Sequence, residues 1–142
     1  MPKITKEMQE LFGYSDDQVK GLKENQIQLI EKLPELIKYN LVAEVVESRN
    51  CVIGAKPGDK IVLKAGGAID TQACTNKEEI CLWAVAPLLP FSYSFHELVG
   101  CGADPTKMML KRVHCLDTGV EHCGWGQIVM EVRVEPRQQE SL

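Results

Sequence analysis

The sequence predicts an α+β fold in which a small, mostly antiparallel sheet packs against a kinked helix. The chain has 142 residues, the length of one domain. Its longest apolar run, ICLWAVAPLLPFSYSFHELVG at residues 80–100, contains two prolines that predict a bend. The stretches that favour strands are short and do not alternate with helices, which favours separate helical and sheet layers.

Residues 1–40 are predicted to form an N-terminal helical arm. Ser15 and Gln18 have the spacing of a capping box, and apolar residues recur at helical spacing from Val19 to Leu33. Pro34 can begin a further helical turn. The apolar stripe packs either on the rest of the chain or on a second copy, and we expect a homo-oligomer.

Residues 41–135 are predicted to form the body, and residues 136–142 a polar, disordered tail. The apolar run at residues 80–100 is the expected kinked helix, since it is too interrupted to cross a membrane. Residues 68–77 show no clear period and are interpreted as a loop. Valine-rich or alternating patterns predict four strands, of which the last is the clearest, at residues 41–48, 60–63, 108–115 and 128–135.

Charge and composition exclude some classes of function. The formal net charge of -4 leaves no basic stripe for a nucleic acid. The first residues, MPKITKEMQELF, contain no apolar segment of a secretion signal, so we expect a cytoplasmic protein without a membrane partner. P-loop, dinucleotide-binding, G-x-S-x-G and H-E-x-x-H motifs are missing from the sequence.

The six cysteines are the main candidates for a site. In a reducing compartment they are expected to be thiols or metal ligands. Cys51, Cys81, Cys115 and Cys123 fall at the ends of predicted elements, where loops can converge on a zinc ion or an iron-sulfur cluster. The alternative is ordinary burial, because cysteine packs well in cores. We expect burial or packing for Cys74, Cys101 and His96, and the role of His122 stays open.

Spaced motifs also indicate a family. The body contains C-x-x-G-x-K-x-G-D from Cys51, C-x-W-A from Cys81 and C-x-D from Cys115. This set resembles a family of small uncharacterised bacterial and archaeal proteins over about residues 41–135, and the arm is similar to a longer subgroup. In that family the three cysteines recur in one pattern with a Gly-Asp pair, here Gly58 and Asp59. The resemblance implies that the three cysteines act together, and it implies no activity. The family usually has proline where this chain has Leu116.

Two functions from different classes follow. In the first, the protein is a metal-binding or accessory module, with Cys51, Cys81 and Cys115 as ligands and Cys123 or a histidine as the fourth. In the second, it is a small enzyme that uses an open metal position or a cysteine nucleophile on a small molecule. Asp117, Asp59 and His114 are then the candidates for proton transfer, and Lys56 for binding an anionic group. His114 cannot easily serve Cys115, because adjacent strand residues point to opposite faces.

Overall fold

The computed structural model describes residues 4–138 and shows an α+β fold, as predicted. A five-stranded antiparallel sheet has the order β3-β2-β1-β5-β4. Its strands are β1 (Tyr39–Arg49), β2 (Lys60–Lys64), β3 (Ala68–Ile69), β4 (Arg112–His114) and β5 (Gln127–Pro136). Its helices are α1 (Lys6–Phe12), α2 (Asp16–Gly21), α3 (Glu24–Glu31), α4 (Leu33–Leu36), α5 (Leu82–Val85) and α6 (Leu89–Gly100).

The helical arm consists of four short helices. The capping box forms as predicted, with the Gln18 amide 3.2 Å from Ser15 Oγ and the Ser15 amide 2.9 Å from Gln18 Oε1. The helical stretch expected from Val19 to Leu33 is divided, because Gly21 has low helix propensity and the Lys23 amide donates to Gln26 Oε1 at 2.9 Å, which caps a new helix. The arm is therefore helical but segmented.

The two longest strands form the centre of the sheet. β1 pairs with β5 from Tyr39 opposite Pro136 to Arg49 opposite Gln127, with a bulge between Val45 and Glu47. Along β5 the buried residues alternate with less buried ones, as the period of two predicted. β4 is shorter than the predicted strand at residues 108–115, and β3 lies inside the expected loop.

The predicted kinked helix is present as three joined pieces. α5 leads into a 3₁₀ turn (Ala86–Leu88) and then into α6. Pro87 and Pro90 each lie in the first turn of a new piece, where a missing amide costs least. Leu88 and Phe95 are fully buried against the sheet. The kink thus lets one apolar run cover the sheet while the direction of the helix changes.

The C-terminal tail joins the sheet further than expected. β5 extends through Pro136, and the Arg137 amide donates to the Lys38 carbonyl oxygen at 2.7 Å. The predicted disorder of residues 139–142 lies outside the described residues. Within residues 4–138 no helix has the length and apolar character needed to span a membrane.

Candidate functional site

Three cysteines from distant parts of the chain line one groove of about 310 Å³. Cys51 follows β1, Cys81 immediately precedes α5, and Cys115 follows β4. Cys115 is buried within the main core, and the other two are half-buried against it. The groove therefore lies at the edge of the interface between the sheet and the kinked helix. Packing alone explains the burial of these cysteines, whereas their common groove is an additional observation.

Cys115 is positioned by the continuation of the sheet beyond β4. Its amide donates to the Ile128 carbonyl oxygen at 3.0 Å, and the Ile128 amide donates to Cys115 Sγ at 3.4 Å. Cys115 and Asp117 are buried while Leu116 between them is exposed, the alternation expected of extended backbone. The Leu116 amide donates to the Trp83 carbonyl oxygen at 3.0 Å, which connects this segment to α5.

Asp117 organises the loop that closes one side of the groove. Its Oδ1 accepts hydrogen bonds from the Gly119 and Trp125 amides, each at 3.0 Å, and its Oδ2 accepts one from Gly126 at 3.1 Å. The Gly119 amide is the largest cause that lowers the pKa of Asp117, with Gly126 and Trp125 adding to it against the opposing effect of burial. A carboxylate with a lowered pKa is a weak base, so Asp117 is better suited to holding the loop than to accepting a proton.

Glycines allow this loop to approach so closely. A Cβ atom on Gly124 would overlap Asp117 Oδ1, and a Cβ atom on Gly126 would overlap the Asn50 carbonyl group. Neither neighbour can easily move away, because Asp117 Oδ1 accepts two hydrogen bonds and the Asn50 carbonyl group is part of the backbone. The irregular glycine-rich stretch is thus required by packing around a carboxylate.

The two tryptophans of the chain form one wall of the groove. The rings of Trp83 and Trp125 stack with their centroids 5.8 Å apart and an interplanar angle of 3°. They stay 43% and 66% exposed, which is unusual for the largest aromatic side chain. Three further apolar residues are exposed, each directly after one of the three groove cysteines in the sequence: Val52, Leu82 and Leu116. The sequence placed both tryptophans two residues after a cysteine, but it contained no signal that they meet.

Several predicted site residues lie outside the groove. Cys123 is exposed, in the left-handed backbone region at a φ of 66°, and does not line it. His114 is exposed whereas Cys115 is buried, and His114 Nδ1 lies 2.6 Å from the Cys115 carbonyl oxygen; His114 does not line the groove. Sequence reasoning about opposite strand faces predicted this separation of His114 from the thiol.

Lys56 and Asp59 form a turn next to the site. The Lys56 amide donates to Asp59 Oδ2 at 3.0 Å, and the Asp59 carbonyl oxygen accepts the Val45 amide at 2.8 Å. Asp59 lines a smaller cavity of about 90 Å³, which shares Cys81 with the groove. Lys56 lines neither space. Both residues thus belong to the turn that supports β1, and the groove does not contain the lysine expected to bind an anion.

Cys74 has separate surroundings. It is buried with Val42 and Val62 on the opposite face of the sheet, under the segment that follows β3. The Val62 amide donates to Cys74 Sγ at 3.3 Å. These contacts are those of a packing cysteine.

The donor atoms do not form a finished metal site. Among residues 4–138, no three side chains of His, Cys, Asp or Glu are arranged so that they could hold a metal ion as they stand. The groove nevertheless contains three sulfur donors, which are the ligands that zinc and iron-sulfur clusters prefer. The predicted metal therefore stays a prediction, and its binding requires the thiols to turn towards one another.

Comparisons with protein-family models, with curated proteins and with solved structures found no match to this chain. The resemblance of its cysteine motifs to a family of small bacterial and archaeal proteins stays a prediction.

Proposed function

We propose that the protein is a metal-binding accessory module in which Cys51, Cys81 and Cys115 bind zinc or an iron-sulfur cluster. One observation carries this proposal: these three cysteines come from separate loops and line a single groove. Cys101 and Cys123 are exposed elsewhere, and Cys74 packs on the other face of the sheet. Half of the cysteines thus share one location.

The chemistry of the donors supports a soft metal. Thiolates bind zinc and iron, and a metal held by three protein thiolates keeps one position for a fourth ligand. Cys123 is exposed outside the groove, so a fourth protein ligand would have to come from a movement of its loop. Cys51 and Cys81 lie in connecting segments, which adjust around a ligand more easily than strand residues do.

A small thiol-dependent enzyme is the second candidate. Its support is the groove itself, which has room for a ligand beside two half-exposed thiols, those of Cys51 and Cys81. Asp117 is a poor general base because three amides hold its carboxylate. Lys, Arg and His are missing from the described residues that line the groove, so the structure does not favour an anionic substrate.

A cytoplasmic location belongs to the same proposal, because all six cysteines are free thiols. A homo-oligomer is also proposed, because Leu29 and Ile37 of the arm are exposed. The net charge of -4 gives no support to a nucleic acid partner.

Metal analysis of protein purified without oxygen tests the proposal. We expect bound zinc, or iron with a visible absorption band, in the native chain. Serine substitutions of Cys51, Cys81 or Cys115 should each remove most of the metal. Cys101→Ser is the matched control, since this exposed thiol lies outside the groove, and it should keep the metal. A native protein without metal, or a loss in Cys101→Ser equal to that in the three groove variants, would contradict the proposal.

If the metal is missing, alkylation distinguishes the second candidate. A thiol enzyme needs one groove cysteine that reacts much faster than the exposed Cys101, because the thiolate is the reactive form. Equal alkylation rates for the groove thiols and for Cys101 would leave ordinary buried thiols as the better explanation.

A further inference from the structure

The charge of the groove has one sign only. Among the described residues that line it, Asp117 alone carries a formal charge, and the others are apolar residues, cysteines, a glycine and a glutamine. An anionic ligand would face this carboxylate with no cation in the lining to compensate. A cationic ligand would meet an opposite charge in a largely apolar space, where electrostatic attraction is stronger than in water.

Asp117 keeps capacity to bind such a ligand. The residue is 9% exposed and lines the groove. A carboxylate offers about four acceptor positions. Within the described residues Oδ1 accepts two hydrogen bonds and Oδ2 accepts one, so Oδ2 has a further position for an incoming donor. A charged donor forms the stronger type of hydrogen bond with a carboxylate.

The aromatic wall suits the same class of ligand. Trp83 and Trp125 cover each other on one face and present indole surface to solvent. Indole faces attract cations through their quadrupole and also cover apolar groups. Leu82 and Val52, both strongly exposed, extend the apolar lining. A buried carboxylate beside two open indoles therefore combines a charge with an apolar platform.

We propose that the groove binds an apolar organic cation, an ammonium group attached to an aromatic or aliphatic body. The ammonium group donates to Asp117 Oδ2, and the body packs on Trp83, Trp125 and Leu82. This inference goes beyond the metal proposal, because it rests on the carboxylate and the indoles and needs no metal on the three thiols.

Tryptophan fluorescence tests the inference directly. Both tryptophans of the chain line the groove, so emission excited beyond the tyrosine absorption reports on this one place. The purified, reduced protein is titrated at neutral pH with benzylammonium, benzyl alcohol and benzoate, which share a ring and differ in charge. We expect benzylammonium to bind about tenfold or more tightly than benzyl alcohol, since both can donate to the carboxylate but only the ammonium adds charge–charge attraction in a largely apolar space. Benzoate should bind most weakly.

Equal affinities, a preference for benzoate, or no spectral response to any of the three compounds would overturn the inference. Metal content is measured on the same preparation. A protein that lacks metal but prefers benzylammonium refutes the metal proposal alone, whereas a protein with metal and no such preference refutes this inference alone.

A charge placed at the rim gives a second test. Val52→Lys adds a cation to an exposed lining position, and Leu89→Lys adds one to an exposed position on α6 outside the lining. Val52→Lys should weaken benzylammonium binding about two- to fivefold, the size expected for exposed charge pairs. Leu89→Lys should leave the affinity unchanged. The same affinity in both variants would count against an ammonium group in the groove.

Discussion

Replacing Cys74 and Cys81 by serine should separate stability from metal binding. Both residues line the 90 Å³ cavity, but only Cys81 also lines the groove. Cys74 is 3% exposed, with Sγ 3.3 Å from the Val62 amide and 3.9 Å from the Val62 carbonyl oxygen. A serine hydroxyl is shorter than a thiol, so it would lie farther from that carbonyl oxygen and bury a donor without a good acceptor.

The size of the effect follows from this buried hydroxyl. An unpaired hydroxyl in a protein interior costs about 1–3 kcal/mol. For a domain of this length each kcal/mol lowers Tm by about 3–5 °C. Cys74→Ser should therefore lower Tm by about 3–15 °C and leave metal content unchanged. Cys81→Ser should remove the metal. Its Tm should be lower than that of the metal-bound native chain and close to that of the native chain without metal, since metal binding stabilises the folded chain.

Thermal unfolding followed by circular dichroism, with metal analysis of each sample, measures both quantities. The exposed Cys101→Ser is the control and should change neither. Loss of metal in Cys74→Ser to the extent seen in Cys81→Ser would refute the assignment of separate roles. An unchanged Tm in Cys74→Ser would refute the packing estimate.

Three further predictions concern the loop around Asp117, the loss of stability at low pH and the N-terminal helical arm. Gly126→Ala should destabilise the fold and disturb the emission of Trp125, because its Cβ would overlap the Asn50 carbonyl group. Gly21→Ala is the control, since the added Cβ meets open space there and neither glycine has a positive φ. Hydrogen bonds lower the pKa values of two carboxylates, chiefly the bond from the Gly119 amide for Asp117 and the bond from Arg133 for Glu44. The stability that these two carboxylates contribute is present above the unfolded pKa of about 4, and it is lost as pH falls through their lower folded pKa values. The urea midpoint should thus hold from neutral pH to about pH 5 and fall below about pH 4, and less steeply in Asp117→Asn; a midpoint in the native chain that is unchanged at pH 3 would contradict this. Light scattering should show a dimer or larger oligomer that Leu29→Lys shifts towards monomer, with Tyr93→Lys on exposed α6 surface as control; a native monomer at micromolar concentration would refute the oligomer.

Local signals in the sequence predicted much of the fold. The alternation of residues 128–135 predicted β5, because one buried face imposes a period of two. Pro87 and Pro90 predicted the bend, because each removes a helical hydrogen bond. The Ser15 capping box predicted the start of α2. Each of these features depends on residues that are close together in the chain.

Features that depend on distant partners were missed. β3 has two residues and exists because it pairs with Leu63 and Lys64. The strand expected at residues 108–115 is reduced to Arg112–His114, the part that lies opposite β5. Such strands are defined by hydrogen bonds to another segment, so their own residues carry little signal.

The candidate site divides in the same way. The sequence by itself determined which residues were candidates, because short stretches of sequence are enough to recognise them. These candidates are the cysteines at the ends of predicted elements, Asp117 two residues after Cys115, and His114 next to Cys115 in a predicted strand. Only the tertiary structure decided that Cys51, Cys81 and Cys115 share a groove while Cys123, His114 and Lys56 stay outside it. It also decided that Asp117 binds three amides and that Trp83 stacks on Trp125. The physical reason is that a groove is formed by the packing of segments far apart in the chain, and the contacts that place a side chain in it come from those other segments.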